Sequence, residues 1–253
     1  MTKKRLLFLT IIASIMMFSF GANTALAADP IPGINLNIGS STGAEGASST
    51  ISLLLLLTVL SLAPSILILM TSFTRIVIVL GFVRTSLGTQ QMPPNQVLIG
   101  LALFLTFFIM APTIGEVNQT AIQPYIKGEI NQTIALEKAA LPLKKFMWDH
   151  TRTKDLKLFV DYAKAEEPTG PEDVSLTTLV PAFAISELKS AFTMGFMIFI
   201  PFLVIDMIIA STLMAMGMMM LPPVMISLPF KILLFILVDG WYLVVKSLLL
   251  SYT

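Results

Sequence analysis

Four long apolar blocks set the pattern of the chain, and they come in two pairs. Residues 51–70 hold 15 apolar side chains in 20 and no charge, enough to span a bilayer as a helix. Apolar character continues over residues 73–83, interrupted by Arg75 and followed by Arg84. A polar stretch, 85–96, contains Pro93-Pro94 and reads as a turn, since each proline removes a donor and clashes one turn back. Residues 97–114 form the second block. The third, 191–214, contains Pro201 and Asp206, and the fourth, 224–250, contains Lys231, Asp239 and Lys246. Between these two lies a Met-rich break closed by Pro222-Pro223. The expectation is an all-α integral membrane protein of long broken helical hairpins, 51–114 and 191–253. Pro64, Pro112, Pro201 and Pro229 predict breaks at membrane depth, covered by protein or a wet cavity.

The segment between the hairpins differs in kind. Residues 115–190 carry 11 acidic and 9 basic side chains, 20 of the 31 in the chain. That predicts a small polar helical domain, with amphipathic helices over 129–140 and 154–163. In the second, Leu156, Phe159 and Val160 share one face at i, i+3, i+4 spacing. The loop 166–173 follows, with Pro168, Gly170 and Pro171.

The first 27 residues read as an address. Lys3, Lys4 and Arg5 precede an apolar run over 6–20, and Ala25-Leu26-Ala27 offers small residues for cleavage before Ala28. Residues 28–50, rich in Gly, Ser, Asn and Pro, read as a flexible leader. With residue 28 outside the inner membrane, the 85–96 turn faces the cytoplasm and the polar domain faces the periplasm.

Composition narrows the chemistry. Charged residues are 12% of the chain, net charge is +1, and mean hydropathy is +0.85. This excludes a soluble surface and a basic nucleic-acid binder. With no Cys and a single His, thiol catalysis and Cys- or His-built metal sites have no ligands to draw on. No phosphate-loop, zincin or nucleophile-elbow pattern occurs. The expectation is a non-enzymatic, cofactor-free membrane component, with His150 as a solvated surface residue.

Two features remain. Charges inside apolar blocks usually face protein or water, because insertion at the bilayer centre costs at least about 2.5 kcal/mol. Lys246 fits a snorkelling end residue, whereas Glu187 or Asp206 is expected to pair with Lys231. The second feature is the run Met214, Met216, Met218, Met219, Met220 and Met225, six of 16 methionines within 12 residues. A helix would spread consecutive methionines about 100° apart, whereas a loop presents them together. Gly217 supplies a hinge before Met218, Met219 and Met220, and Pro222 and Pro223 stop the loop after them. A ring of such loops would form a compliant apolar constriction.

Long motifs then carry a resemblance. They are residues 73–80 (FTRIVIVL), Arg84 and 87–98 (LGTQQMPPNQVL), 100–106 (GLALFLT), and 152–156 (RTKDL). They continue with 181–183 (PAF), 186–189 (SELK), 199–203 (FIPFL), 216–223 (MGMMMLPP), 227–231 (SLPFK) and 239–241 (DGW). In order, these resemble the FliP family of flagellar type III export-gate proteins, and virulence-injectisome relatives share much of the pattern. The resemblance implies five copies assembling with FliQ and FliR into a conical gate in the basal body of the bacterial inner membrane. That gate passes unfolded flagellar proteins. The resemblance also implies that the 218–220 loop is the pore gasket, and that the hairpins pack in a complex raised largely out of the bilayer plane. An assembly scaffold with no conduit and a small-solute transporter are the alternatives; the second needs a polar midplane site, whereas the Met-rich break is apolar.

Overall fold

The computed structural model describes residues 54, 57–58, 60–62, 64–66 and 68–252, apart from 90 and 219. The expected cleavage point at Ala27 and Ala28, the leader and Met219 lie outside the described residues. The chain divides into two units, Met1–Ser61 and Leu62–Thr253. In the first, the described residues carry helical side-chain bonds, Thr58 Oγ1 to the Leu54 carbonyl at 2.7 Å and Ser61 Oγ to the Thr58 carbonyl at 2.8 Å. All else concerns the second unit.

Its regular elements are helices. They are α1 (Phe73–Ser86), α2 (Asn95–Val117), α3 (Gln123–Ile126), α4 (Gln132–Asp149), α5 (Thr153–Ala163), α6 (Leu176–Ala215), α7 (Pro223–Leu237) and α8 (Gly240–Leu250). A π-helical turn, Asn118–Ile122, joins α2 to α3. It sits just before Pro124, whose ring would collide with the carbonyl four residues back in a regular helix. The wider turn removes that conflict.

The expected amphipathic helix at 129–140 instead spans Gln132–Asp149. Asn131 sets its start by accepting a bond from the Ile134 N–H at 2.9 Å. Its end is closed by side chains. His150 Nδ1 lies 2.7 Å from the Phe146 carbonyl, and Thr151 Oγ1 donates to the Met147 carbonyl at 2.6 Å, two groups a helix end leaves unbonded.

The long axis of the unit is α6. Ser175 caps its start, accepting from the Thr177 N–H at 3.1 Å. Its 40 residues span about 60 Å at 1.5 Å per residue. It runs unbroken through 190–191, so the polar segment and the second hairpin share one helix. It also runs through Pro181 and Pro201, as α2 does through Pro112 and α7 through Pro229. The prolines therefore sit inside helices, and the breaks fall elsewhere. Asp239, in the left-handed region at φ 51°, separates α7 from α8, and the two meet at 62°. A second bend, 68°, lies between the described residues of Leu60–Met70 and α1.

Two cores lie along α6. Ile76, Val79, Leu80 and Val83 of α1 pack with Leu98 and Ala102 of α2, Ala191 and Phe202 of α6, Phe235 of α7, and Leu248 of α8. The spacing on α1 is that of one helix face. Nearer the start of α6, Leu179 and Phe183 join Met110, Phe146, Met147 and Val174. Gly195 lets α1 and α6 approach closely: a Cβ there would lie 2.4 Å from the Phe82 ring. Gly195→Ala should destabilise the fold by about 1–3 kcal/mol through overpacking. Thermal melts check this, and Phe82→Leu in the same chain should recover most of the loss.

Large apolar faces stay open. Phe104 is 77% exposed and Leu237 is 73% exposed. Two helical stretches, Asn95–Ile126 and Leu176–Ala215, are long and apolar enough to cross a membrane, or up to four spans if each bent pair counts as one. Such faces demand lipid or neighbouring protein.

Candidate functional site

The hairpin of α6 and α7 carries the site. At its tip, α6 ends in a left-handed Gly217, φ 73°. The Met218 N–H reaches back to the Leu213 carbonyl and the Gly217 N–H to the Met214 carbonyl, both at 3.0 Å. This is the Schellman arrangement, which satisfies carbonyls a helix end leaves bare and favours glycine at the left-handed position. On the other side Pro222 takes extended angles, and Pro223 opens α7 at the first helical position, where its missing N–H has no helical partner to lose. The intervening loop is thus stopped at both ends by backbone chemistry. It holds its methionines outward: Met220 is 98% exposed, and Met216, Met218 and Met225 are exposed as well.

About a dozen residues from the loop on either side, one clasp ties the hairpin. Lys231, on α7, is buried, and its Nζ lies 2.6 Å from Asp206 Oδ2 on α6. Ser227, one turn before Lys231, donates to the other carboxylate oxygen at 2.5 Å. Both Asp206 oxygens therefore have a donor, as a charge in an apolar hairpin requires.

Glu187 is elsewhere. It is fully buried and pairs with Arg75 of α1 through both carboxylate oxygens, with Nε donating to Oε2 at 3.0 Å and Nη2 to Oε1. The chain after α8 completes this node. Tyr252 donates its hydroxyl to Glu187 Oε2 at 2.5 Å, and Arg75 Nη1 donates to the Ser251 carbonyl at 3.0 Å and Oγ at 2.9 Å. The Arg75 guanidinium lies over the Tyr252 ring, 4.1 Å from its centroid. Four donors on one guanidinium–carboxylate pair compensate its desolvation. They also join three stretches far apart in sequence.

One helical residue before Glu187, a third clasp fixes the polar helices. Ser186 Oγ donates to Asp155 Oδ2 at 2.7 Å and accepts from the Arg152 N–H at 3.0 Å. Arg152 grips the same carboxylate, Nε at 2.8 Å and Nη2 at 2.9 Å. Burial by itself would raise the Asp155 carboxyl. The Ser186 and Arg152 hydrogen bonds, with the charges of Arg152 and Lys154, outweigh it and hold the group below its ordinary 3.8. The unfolded chain then binds the proton first as pH falls. The clasp's contribution should be complete above about pH 5 and lost as pH drops below about 4. Melting temperatures across that window, compared with an Asp155→Asn variant lacking this pH dependence, check it.

Sequence spacing brought Asp206, Lys231 and the Met loop forward, and the structure places the first two in contact. It does not bring Glu187 to Lys231. It adds Ser227, Arg75's partners Ser251 and Tyr252, and the Asp155–Ser186 bond. His150 is half-buried rather than solvated, its ring 4.6 Å from that of Phe146 and 5.0 Å from that of Tyr252. Among the described residues no group of three or more His, Cys, Asp or Glu could hold a metal ion.

Comparison with known proteins decides the family. The FliP family model matches residues 56–248. The chain belongs to the FliP family. Over 217 residues it is 70% identical to the flagellar biosynthetic protein FliP of Bacillus subtilis strain 168, covering 86% of this chain and 98% of that protein. It is 51% identical over 217 residues to the flagellar biosynthetic protein FliP of Cereibacter sphaeroides, covering 86% of this chain and 72% of that protein. The Aquifex aeolicus protein of the same name is 49% identical over 224 residues, covering 88% of this chain and 92% of that protein. The FliP-family match contains all three clasps and the Met loop, apart from Ser251 and Tyr252.

Proposed function

We propose that this FliP-family chain is the pore-forming subunit of the flagellar protein export gate, through which unfolded flagellar proteins cross the bacterial inner membrane. The observation that carries the proposal is the 216–222 loop. It is stopped by Gly217 on one side and Pro222-Pro223 on the other, it presents Met218 and Met220 to its surroundings, and it stands on a hairpin tied by Asp206 and Lys231. Flexible thioether side chains on a backbone fixed at both ends suit a seal that must part for many sequences and close again.

The proposal includes five copies of the chain, assembled with FliQ and FliR among other flagellar export apparatus proteins. It includes residues 115–190 as a periplasmic segment, with the mature chain beginning near Ala28. Exposed apolar faces on α2, α6 and α7 support burial against such neighbours or lipid. The work of the subunit is mechanical: it needs no catalytic group, cofactor or nucleic acid.

The test is genetic and biochemical together. A strain lacking the gene should secrete no filament protein and recover on complementation, and the purified membrane complex should have a mass requiring five copies. Normal filament secretion in the deletion strain, or a complex holding one copy, rejects the proposal.

A further inference from the structure

In the polar segment, a cavity of about 260 Å³ opens between the last turn of α4, α5 and the chain that follows. Local backbone chemistry makes it. At the end of α5, Lys164 adopts a left-handed conformation, φ 50°, and the Ala165 N–H reaches back to the Val160 carbonyl at 3.2 Å. The chain folds back, so Glu167 and Pro168 form a wall opposite Trp148 of α4 and the exposed side of α5. On α5, Leu156 and Val160 are one turn apart, as are Lys157 and Asp161. One row is apolar and the adjacent row is charged.

The lining is therefore amphipathic. Trp148, Leu156, Val160 and Pro168 supply apolar surface, and Asp161 and Glu167 supply two carboxylates against the single ammonium of Lys157. Residues 164–173 hold four acids and one base, so the rim is acidic too. Among the described residues, neither Asp161 nor Glu167 makes an ion pair within 4 Å, unlike Asp155 on the same helix. Acids beside an indole and an apolar wall exclude phosphate-bearing ligands and suit a cation on an apolar stem. A guanidinium fits better than an ammonium: it is planar, stacks on an indole, is less strongly hydrated, and bonds a carboxylate with two N–H groups. The volume matches one long side chain, not a folded module.

The occupant comes from another protein. Within the described residues this chain's own arginines are engaged: Arg75 with Glu187, Arg84 with Asn95, and Arg152 with Asp155. We propose that the Trp148 cavity is a docking pocket for an arginine side chain on a partner polypeptide, its guanidinium between the indole and the carboxylates of Asp161 and Glu167. This does not depend on a conduit role for the Met loop.

The experiment follows the Trp148 indole N–H resonance in the full-length, detergent-solubilised protein carrying Trp241→Phe, so that one tryptophan remains. The probes are acetyl-Gly-Arg-Gly-amide and the same peptide with citrulline, which keeps the shape and loses the charge. The arginine peptide should shift the resonance saturably, and citrulline should bind about tenfold more weakly or less. Asp161→Asn with Glu167→Gln, both exposed, should weaken arginine binding by about the same factor without changing the melt. No saturable shift, equal binding of citrulline, or full binding by the double variant overturns the proposal. So does a shift that grows with protein concentration alone and vanishes in the double variant, because a second copy would then be the occupant.

Discussion

Lys231→Ala should abolish most of the assembled complex, and a charge exchange with Asp206, not with Glu187, should restore it. Lys231 is 2% exposed, and its ammonium is 2.6 Å from Asp206. Without it the carboxylate keeps only the Ser227 hydroxyl within an apolar hairpin. Breaking a buried pair from one side costs about 3–5 kcal/mol. Native stability is only about 5–15 kcal/mol, so the loss reaches a large share of the total. The measurement is the amount of full-length chain and of membrane complex on native gels. Asp206→Lys and Lys231→Asp should each fail alone and recover together. Glu187→Lys with Lys231→Glu should not recover, because Glu187 would then confront Arg75. Recovery by that second exchange, and not by the first, would overturn the pairing. A doubly apolar hairpin, Asp206→Leu with Lys231→Met, should also assemble, since replacing both partners removes the desolvation penalty along with the attraction.

Much of this clasp was legible in the chain. Asp206 and Lys231 lie about a dozen residues on either side of the 216–222 loop. An antiparallel helical hairpin closed by that loop places them side by side, and leaves Glu187 nearly two dozen residues too far along α6 at 1.5 Å each. Loop symmetry thus names the partner that charge alone leaves open. No such rule reaches Arg75 and Glu187, 112 residues apart, or the engagement of both by Ser251 and Tyr252. Those pairings follow from how α1, α6 and the end of the chain pack, and local periodicity carries no trace of it. The four apolar blocks predicted the helices but misplaced their breaks. Proline loses one bond and clashes with one carbonyl, which a long, laterally packed helix absorbs as a kink. The α7–α8 break sits instead at Asp239-Gly240, a pair whose acid tolerates the left-handed region and whose glycine adds no Cβ. The polar segment was visible as a cluster of charges, but its edge at 190 was not an edge in the backbone. A change of polarity alters what a helix faces without ending it.

Replacing Met218, Met219 and Met220 together with Ala should leave the complex assembled and make the membrane leak. Gly217 and Pro222-Pro223 fix the loop backbone through the Met218–Leu213 and Gly217–Met214 bonds, none of which uses a methionine side chain. Truncation therefore removes apolar volume without removing the scaffold that holds it. Met220, at 98% exposed, has little packing within the chain to lose, so stability should change by less than about 1 kcal/mol. The permeability change is far larger. In a ring of such loops three long side chains from each copy fill the axis; with Ala the opening widens and stays wetted, and dewetting no longer blocks ions. Conductance of the assembled complex in planar bilayers, or entry of a small impermeant dye into cells making it, should rise at least about tenfold over wild type. Leu at the three positions should keep the seal and slow export, because branched side chains repack less freely around a moving polypeptide. Gly217→Ala gives the complementary case. A Cβ there meets nothing within 4 Å, so its cost is the positive φ alone, about 1 kcal/mol, which would shift the loop and impair sealing with every methionine retained. A triple-Ala complex that forms at wild-type levels in a membrane as tight as wild type would make these methionines packing residues, and the conduit would have to close somewhere other than this loop.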